Sequence, residues 1–215
     1  AKAMGYDNHV RTGRYEVNTN IGAFRLLRHL KNRQQAPVRL TIPTVRTVER
    51  LASELSKQLM PDSTAWANAL QSEAFCKALG YDTSTIMCVF IPNTYEVYWD
   101  VTPEKFLQKM KKESDAFWTS SRRQKAADAG LTPNEVIVVA SIVEQETANN
   151  AEKPMIAGMY LNRYHKGMKL QADPTVKFAT KQFQLRRISG SILFTDSPYN
   201  TYKYAGLPPG PICIP

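Results

Sequence analysis

Two carboxylates stand at the end of an apolar run, and their types and spacing suit proton-transfer chemistry. The run is Val136 to Val143, VIVVASIV, and it leads straight into Glu144-Gln145-Glu146-Thr147. Charged side chains are seldom buried without a reason. On a helix, Glu146 lies about 20° from Val139 around the axis and Glu144 about 20° from Ile137. Each carboxylate therefore continues an apolar stripe. The two are about 160° apart, so they cannot face each other as a pair. A carboxyl ending an apolar stripe is partly desolvated, which disfavours its charged form and raises its pKa. The negative end of the helix dipole acts the same way if the helix stops near Thr147. A raised pKa is what a general acid needs near neutral pH. The same residues also fit two ordinary carboxylates at a frayed helix end, capping amides or pairing with Lys153 or Arg163. The pattern alone does not choose.

Other polar residues are equally open. Asn162 shares a helical face with Met155 and Met159, which suits a buried amide bonded to backbone. Asp173-Pro174-Thr175 suits a turn or a helix cap. Asn200 and Thr201 suit local turns. Tyr199, Tyr202 and Tyr204 are residues that stack on sugar rings, and they are also ordinary half-buried loop residues.

The elements that must position these groups are legible in outline. Thr132-Pro133-Asn134-Glu135 has an N-cap, a Pro at the first helical position and a Glu at the third, which approaches a capping box. The helix behind it is apolar on nearly every side and should be buried. A second helix over about 151–166 ends at Gly167. Strands and loops are expected beyond it, and the prolines and glycines of Gly206 to Pro211 forbid regular structure. Upstream, the pattern predicts a strand over Arg14–Val17. A helix over Ile21–Leu30 follows, with Asn18, Thr19 or Asn20 as its cap. A strand over Val38–Ile42 precedes a helix from Pro43-Thr44 to Leu59. This β-α-β-α unit of the first 60 residues suits a small separate domain. Residues 62–80 read as short helices, Val89–Tyr95 as an apolar run broken at Pro92-Asn93, and about 102–125 as one helix.

Composition excludes several classes. The chain has 215 residues, 43% of them hydrophobic and 22% charged, which suits a globular fold rather than a disordered one. Its net charge of +9 favours anionic partners, or simply a solvated basic surface. No zinc-finger or RNP-type motif points to nucleic acid. The three histidines (His9, His29 and His165) form no His-x-x-x-His pair, so no metal site is expected. Cys76, Cys88 and Cys213 are an odd number, which argues against a full disulfide framework and leaves room for one bridge. No stretch of about 18 apolar residues and no signal peptide are present. The start at Ala-Lys-Ala-Met and the end at Pro215 suggest an excised fragment.

Ala140-Ser141-Ile142-Val143-Glu144-Gln145-Glu146-Thr147 resembles the signature of the YceG-like endolytic murein transglycosylases, the MltG family. Asn162-Arg163, Gly167 to Val176, Tyr199 to Tyr202 and Gly206 to Ile212 match its further motifs in order. Several long motifs in sequence are far more specific than one. The strong match covers about 134–213. Phe90 to Tyr95 resembles an upstream family segment, and 14–60 is similar to its LysM-like region.

The resemblance implies an α+β fold. It consists of a small LysM-like β/α domain over 1–60, which binds peptidoglycan, and a larger, mostly helical, lysozyme-like catalytic domain with short strands over 61–215, truncated at its C-terminus. It implies endolytic cleavage of the MurNAc-GlcNAc β-1,4 bond, with Glu146 as the acid and then the base. The C6 hydroxyl of MurNAc attacks C1 and leaves a 1,6-anhydro end, so no second catalytic carboxylate and no cofactor is required. Thr147, Asn162, Gln171, Asp173, Thr175, Asn200, Thr201 and Tyr202 are the substrate-binding candidates. The implied partners are glycan strands and peptidoglycan synthases, with no nucleic acid. An N-terminal anchor, absent from this sequence, would hold the protein to the cytoplasmic (inner) membrane with its catalytic part facing the periplasm or cell exterior. The alternative is a non-catalytic peptidoglycan-binding protein with the same motifs.

Overall fold

The structure, a computed structural model, describes residues 12–215. His9 and the start of the expected 1–60 domain lie outside the described residues. The fold is mixed and helix-rich, with nine α-helices and one two-stranded sheet among the described residues. The alternation of Val38-Arg39-Leu40-Thr41 makes β1 (Val38–Thr41), which pairs antiparallel with β2 (Thr94–Val97). Leu40, Tyr95 and Val97 point into the core while Arg39 and Glu96 point out. α1 (Ala23–Lys31), α2 (Val48–Ser56), α3 (Ser63–Gln71) and α4 (Glu73–Ala78) make up the N-terminal helices. α5 (Pro103–Phe117) and α6 (Ser120–Asp128) follow β2. The motif-bearing half holds α7 (Pro133–Glu146), α8 (Lys153–His165) and α9 (Asp173–Thr180).

Several expectations change here. Arg14–Val17 joins no ladder. Arg14 ties it to the 35–37 segment: Ala36 N–H donates to the Arg14 carbonyl at 2.8 Å, and Arg14 donates to Gln35 Oε1 and to the Pro37 carbonyl. α1 starts at Ala23 behind Gly22, without a side-chain cap; Asn18 instead closes on the Asn20 amide. Its Phe24 is exposed rather than in the core. α2 begins five residues after Pro43, because the Thr47 hydroxyl accepts from the Arg50 amide and fixes the start there. The single helix expected over 102–125 is two. Trp118 is drawn into the core, and Thr119 caps α6. After α8 there is a helix where strands and loops are expected. Asp173-Pro174 opens α9 with an acid and a proline in the first turn, the arrangement a helix start favours.

The core runs through residue 60 rather than stopping there. One cluster joins Leu40, Leu51 and Leu55 to Trp66, Phe90, Phe106 and Ile214. Trp66 meets Phe106 edge to face at 5.3 Å. The Pro/Gly-rich end is irregular but tightly seated. A Cβ on Gly210 would lie 1.9 Å from the Ser84 carbonyl oxygen, so only glycine fits. The three cysteines are buried and free, so the one bridge left open by their number is not formed. No single helix among the described residues is long and apolar enough to cross a membrane.

α7 behaves as its pattern demands. The Thr132 hydroxyl accepts from the Glu135 amide, and the Glu135 carboxylate accepts from the Thr132 amide at 2.7 Å, a complete capping box. Ile137, Val138, Val139, Ser141, Ile142 and Val143 are buried. The second core cluster, which joins Val139, Ile142 and Val143 to Tyr160, Leu170, Ala172 and Ile212, forms the floor beneath the site.

Candidate active site

Glu146 is the last residue of α7, and it is exposed. The apolar stripe predicted a partly desolvated carboxyl. The helix instead ends one turn beyond the buried layer, which lifts the carboxylate into solvent. One oxygen accepts a hydrogen bond from the Tyr160 hydroxyl on α8 at 3.2 Å. Tyr160 is 3% exposed, so its ring belongs to the floor while its hydroxyl serves the site. Burial, with the charge and hydrogen bond of Glu146, raises its pKa well above the ordinary tyrosine value.

Glu144 points elsewhere, as helix geometry requires. It forms an ion pair with Lys153 at the start of α8. It also lines a hollow of about 790 Å³, walled by apolar residues including Ile91, Phe117, Leu131, Val143 and Ala157. Glu146 does not line that hollow.

The remaining motifs gather on the Glu146 side. Tyr202 donates to an Asp173 carboxylate oxygen at 2.6 Å. Burial, the Asp173 hydrogen bond and charge, and the charge of Glu146 push the Tyr202 phenol up to about 12. Asp173 and Glu146 both act on Tyr160 as well, so the two acids and two phenols share one neighbourhood. Arg163 donates to Gln171 Oε1 at 2.6 Å and to the Lys169 carbonyl at 2.8 Å. Gln171 takes a positive φ of 55°, the tight bend that delivers the chain to Asp173.

Thr175, Asn200 and Thr201 are buried and fully occupied by protein. The Thr201 hydroxyl accepts from the Ala172 amide at 3.0 Å and bonds the Thr175 hydroxyl at 2.8 Å. Asn200 donates to the Leu193 and Thr195 carbonyls at 2.9 and 2.8 Å. These three residues hold the loops that present Gln171, Asp173 and Tyr202. Thr147 caps the end of α7 and donates to Glu152 at 2.7 Å. Asn162 is exposed on the far side of α8 with Met155 and Met159, not a buried amide.

The pattern reading missed Tyr160. A signal existed in the Ile156, Tyr160, Tyr164 stripe at helical spacing, whose middle member can carry a hydroxyl toward a neighbouring acid. Nothing in the stripe alone says that it meets Glu146.

The sequence profile of the YceG-like family matches residues 1–215. The chain belongs to the YceG-like family. Among YceG-like relatives, an endolytic murein transglycosylase of Bacillus subtilis is 34% identical over 113 residues, covering 53% of this chain and 31% of that protein. One of Streptococcus pneumoniae strain R6 is 27% identical over 252 aligned residues, covering 100% of this chain and 44% of that protein. The chain thus spans less than half the length of these curated relatives. The crystal structure of a YceG-like protein from Listeria monocytogenes matches with a TM-score of 0.68 at 27% identity, over 98% of this chain and 75% of that one.

Proposed function

We propose that this YceG-like chain carries the catalytic site of an endolytic peptidoglycan lytic transglycosylase, with Glu146 as its acid and base. The carrying observation is convergence. Glu146 sits where the end of α7, Tyr160 of α8, the Gln171–Asp173 bend and Tyr202 meet. These segments hold the motifs shared with the family, and the relatives are named endolytic murein transglycosylases.

In the proposed reaction the carboxyl of Glu146 gives its proton to the glycosidic oxygen between MurNAc and GlcNAc. The C1–O bond breaks as the C6 hydroxyl of MurNAc attacks C1. The Glu146 carboxylate takes the proton released by that hydroxyl, which restores the acid and leaves a 1,6-anhydro ring. No water enters and no cofactor is needed. The substrate supplies the nucleophile, so one carboxylate suffices, unlike the usual glycosidase pair. The pairing of Glu144 with Lys153, away from Glu146, is consistent with this. Tyr160 holds Glu146 in place, and Asp173 is committed to Tyr202. Glycan strands lie outside the cytoplasmic membrane, so the reading places the site there, with an N-terminal anchor, a LysM-like segment and peptidoglycan synthases as partners.

The test is digestion of purified glycan strands by this chain and by Glu146→Gln, with the full-length protein beside them. Anhydro-MurNAc ends from the native proteins alone are expected. Reducing MurNAc ends would replace the mechanism with hydrolysis, and undiminished cleavage by the variant would remove Glu146 from its role. Binding without cleavage by both native proteins would favour a non-catalytic peptidoglycan-binding protein.

A further inference from the structure

Arg46 touches the catalytic helix from the other half of the molecule. It lies between β1 and α2, and its Nε donates to Gln145 Oε1 at 2.6 Å. Gln145 is the residue before Glu146. The Arg46 guanidinium carbon lies 5.0 Å from the centre of the Phe183 ring. Phe183 is itself fixed, 6.4 Å from Phe178, which is 4.7 Å from Tyr199. The guanidinium is therefore clamped by a hydrogen bond on one edge and an aromatic face.

The clamp leaves both terminal Nη groups without a partner among the described residues. None of the ion pairs there includes Arg46, and the side chain is exposed. A guanidinium fixed in advance loses little freedom when it takes an anion, and its fork matches a carboxylate. A hollow of about 540 Å³ opens beside it, lined by Thr44, Arg46, Thr47, Gln145, Phe183 and Gln184 among others. That lies within the range of about 300–1,000 Å³ usual for small-ligand sites. A smaller hollow of about 40 Å³ shares Arg46, Gln145 and Phe183 and is bounded by Pro174. Gln145 lines both hollows and directly precedes Glu146 in the chain, which sets them against the end of α7. The Thr44 and Thr47 hydroxyls and the Gln184 amide on the wall of the larger one suit sugar hydroxyls, and Arg50, which also lines it, is paired with Glu54.

We propose that this hollow is a subsite for an acidic sugar unit of the glycan strand, with Arg46 receiving its carboxylate. The proposal rests on the glycan-cleaving reading above and adds a residue from the N-terminal half to the binding surface. The carboxylate comes from the lactyl group of the sugar itself or from an attached stem peptide.

The experiment is calorimetric titration in the Glu146→Gln background, where strands stay intact, with and without Arg46→Gln. Three ligands of equal length are compared: peptide-free strands with free lactyl carboxylates, peptide-bearing strands, and uncharged chitooligosaccharides. Arg46→Gln should weaken binding of the carboxylated ligand about tenfold, the modest end for a charge-assisted pair. Chitooligosaccharide binding should not change. Loss on peptide-free strands assigns the lactyl carboxylate, and loss confined to peptide-bearing strands assigns the peptide. Phe183→Leu, which loosens the clamp without removing the charge, should give a smaller loss of the same selectivity. Binding of carboxylated strands should also fall as salt rises, and less steeply without Arg46. Unchanged binding, or equal loss on all three ligands, overturns the subsite. If the native chain cleaves strands and Arg46→Gln binds them normally, only the subsite falls. If the native protein neither cleaves nor binds them, the functional reading falls and the subsite with it.

Discussion

Glu144 and Glu146 are two residues apart on one helix and live in different surroundings. Glu144 is half-buried at the mouth of an apolar hollow and is neutralised by Lys153. Glu146 is exposed, has no cationic partner among the described residues, and is held by one phenol. The difference comes from the 200° that two helical residues turn. One acid meets α8 at its first turn, while the other crosses to Tyr160, two turns further along. A catalytic carboxyl must be free to reach a substrate oxygen, and Glu144 is committed to Lys153. On the proposed reading the Glu146 side is the reactive one, even though the apolar hollow of about 790 Å³ is on the other.

Glu146→Gln separates the two sides most sharply. Loss of a general acid costs about 10²–10⁴-fold in rate. Because Glu146 is exposed, stability should move by no more than about 0.5 kcal/mol. Thermal unfolding beside the cleavage assay checks both. A large loss of stability would mean that Glu146 is structural rather than reactive. The floor beneath Glu146 predicts the next effect. Thr201→Val removes the acceptor of the buried Ala172 amide, while the Thr175 hydroxyl keeps its bond to the Ala172 carbonyl. Leaving such groups unpaired costs about 1–3 kcal/mol, readable as a fall in the urea midpoint. An unchanged midpoint would show that the loops under the Glu146 side do not depend on this network. Tyr160→Phe comes third. It keeps the ring in the floor and removes one long hydrogen bond to Glu146. A tenfold loss of rate, worth about 1.4 kcal/mol, is expected with little change in substrate affinity. A change confined to affinity would make Tyr160 a binding residue instead.

The same contrast shows what sequence carries and what it omits. The all-round apolar character of 136–143 announces a buried helix, and the 200° turn separates the two acids. Both are local properties, fixed by types and spacing alone. The capping box and the halt at Gly167 are equally local. The Tyr160 contact is not, because it depends on how α8 crosses α7. Arg46 meeting Gln145, 99 residues away, is further from view still. β1 pairing with β2 across residue 60 likewise needs a partner strand that no local pattern names. Predicted desolvation of Glu146 failed for a related reason. Periodicity gives the direction of a side chain around the axis but not the height at which the protein surface cuts the helix.

The smallest effect belongs to Glu144→Gln, and it bears most directly on the comparison. The substitution keeps shape and removes charge, so it breaks the ion pair with Lys153. Both side chains are about a third exposed (30% and 27%), so the pair is partly screened. Such pairs contribute about 0–1 kcal/mol, and the lower half of that range is expected here. Lys153 remains close enough to bond the new amide and is not stranded in the apolar wall. The cleavage rate should fall less than threefold, because Glu144 turns to Lys153 and away from Glu146. The informative quantity is the ratio of the two lesions, with Glu146→Gln slower than Glu144→Gln by at least about 30-fold if a general acid is lost in one and a screened pair in the other. Equal losses from the two variants would mean that the end of α7 works through its charge as a whole, and the division of its two faces into a reactive and a structural side would have to be abandoned.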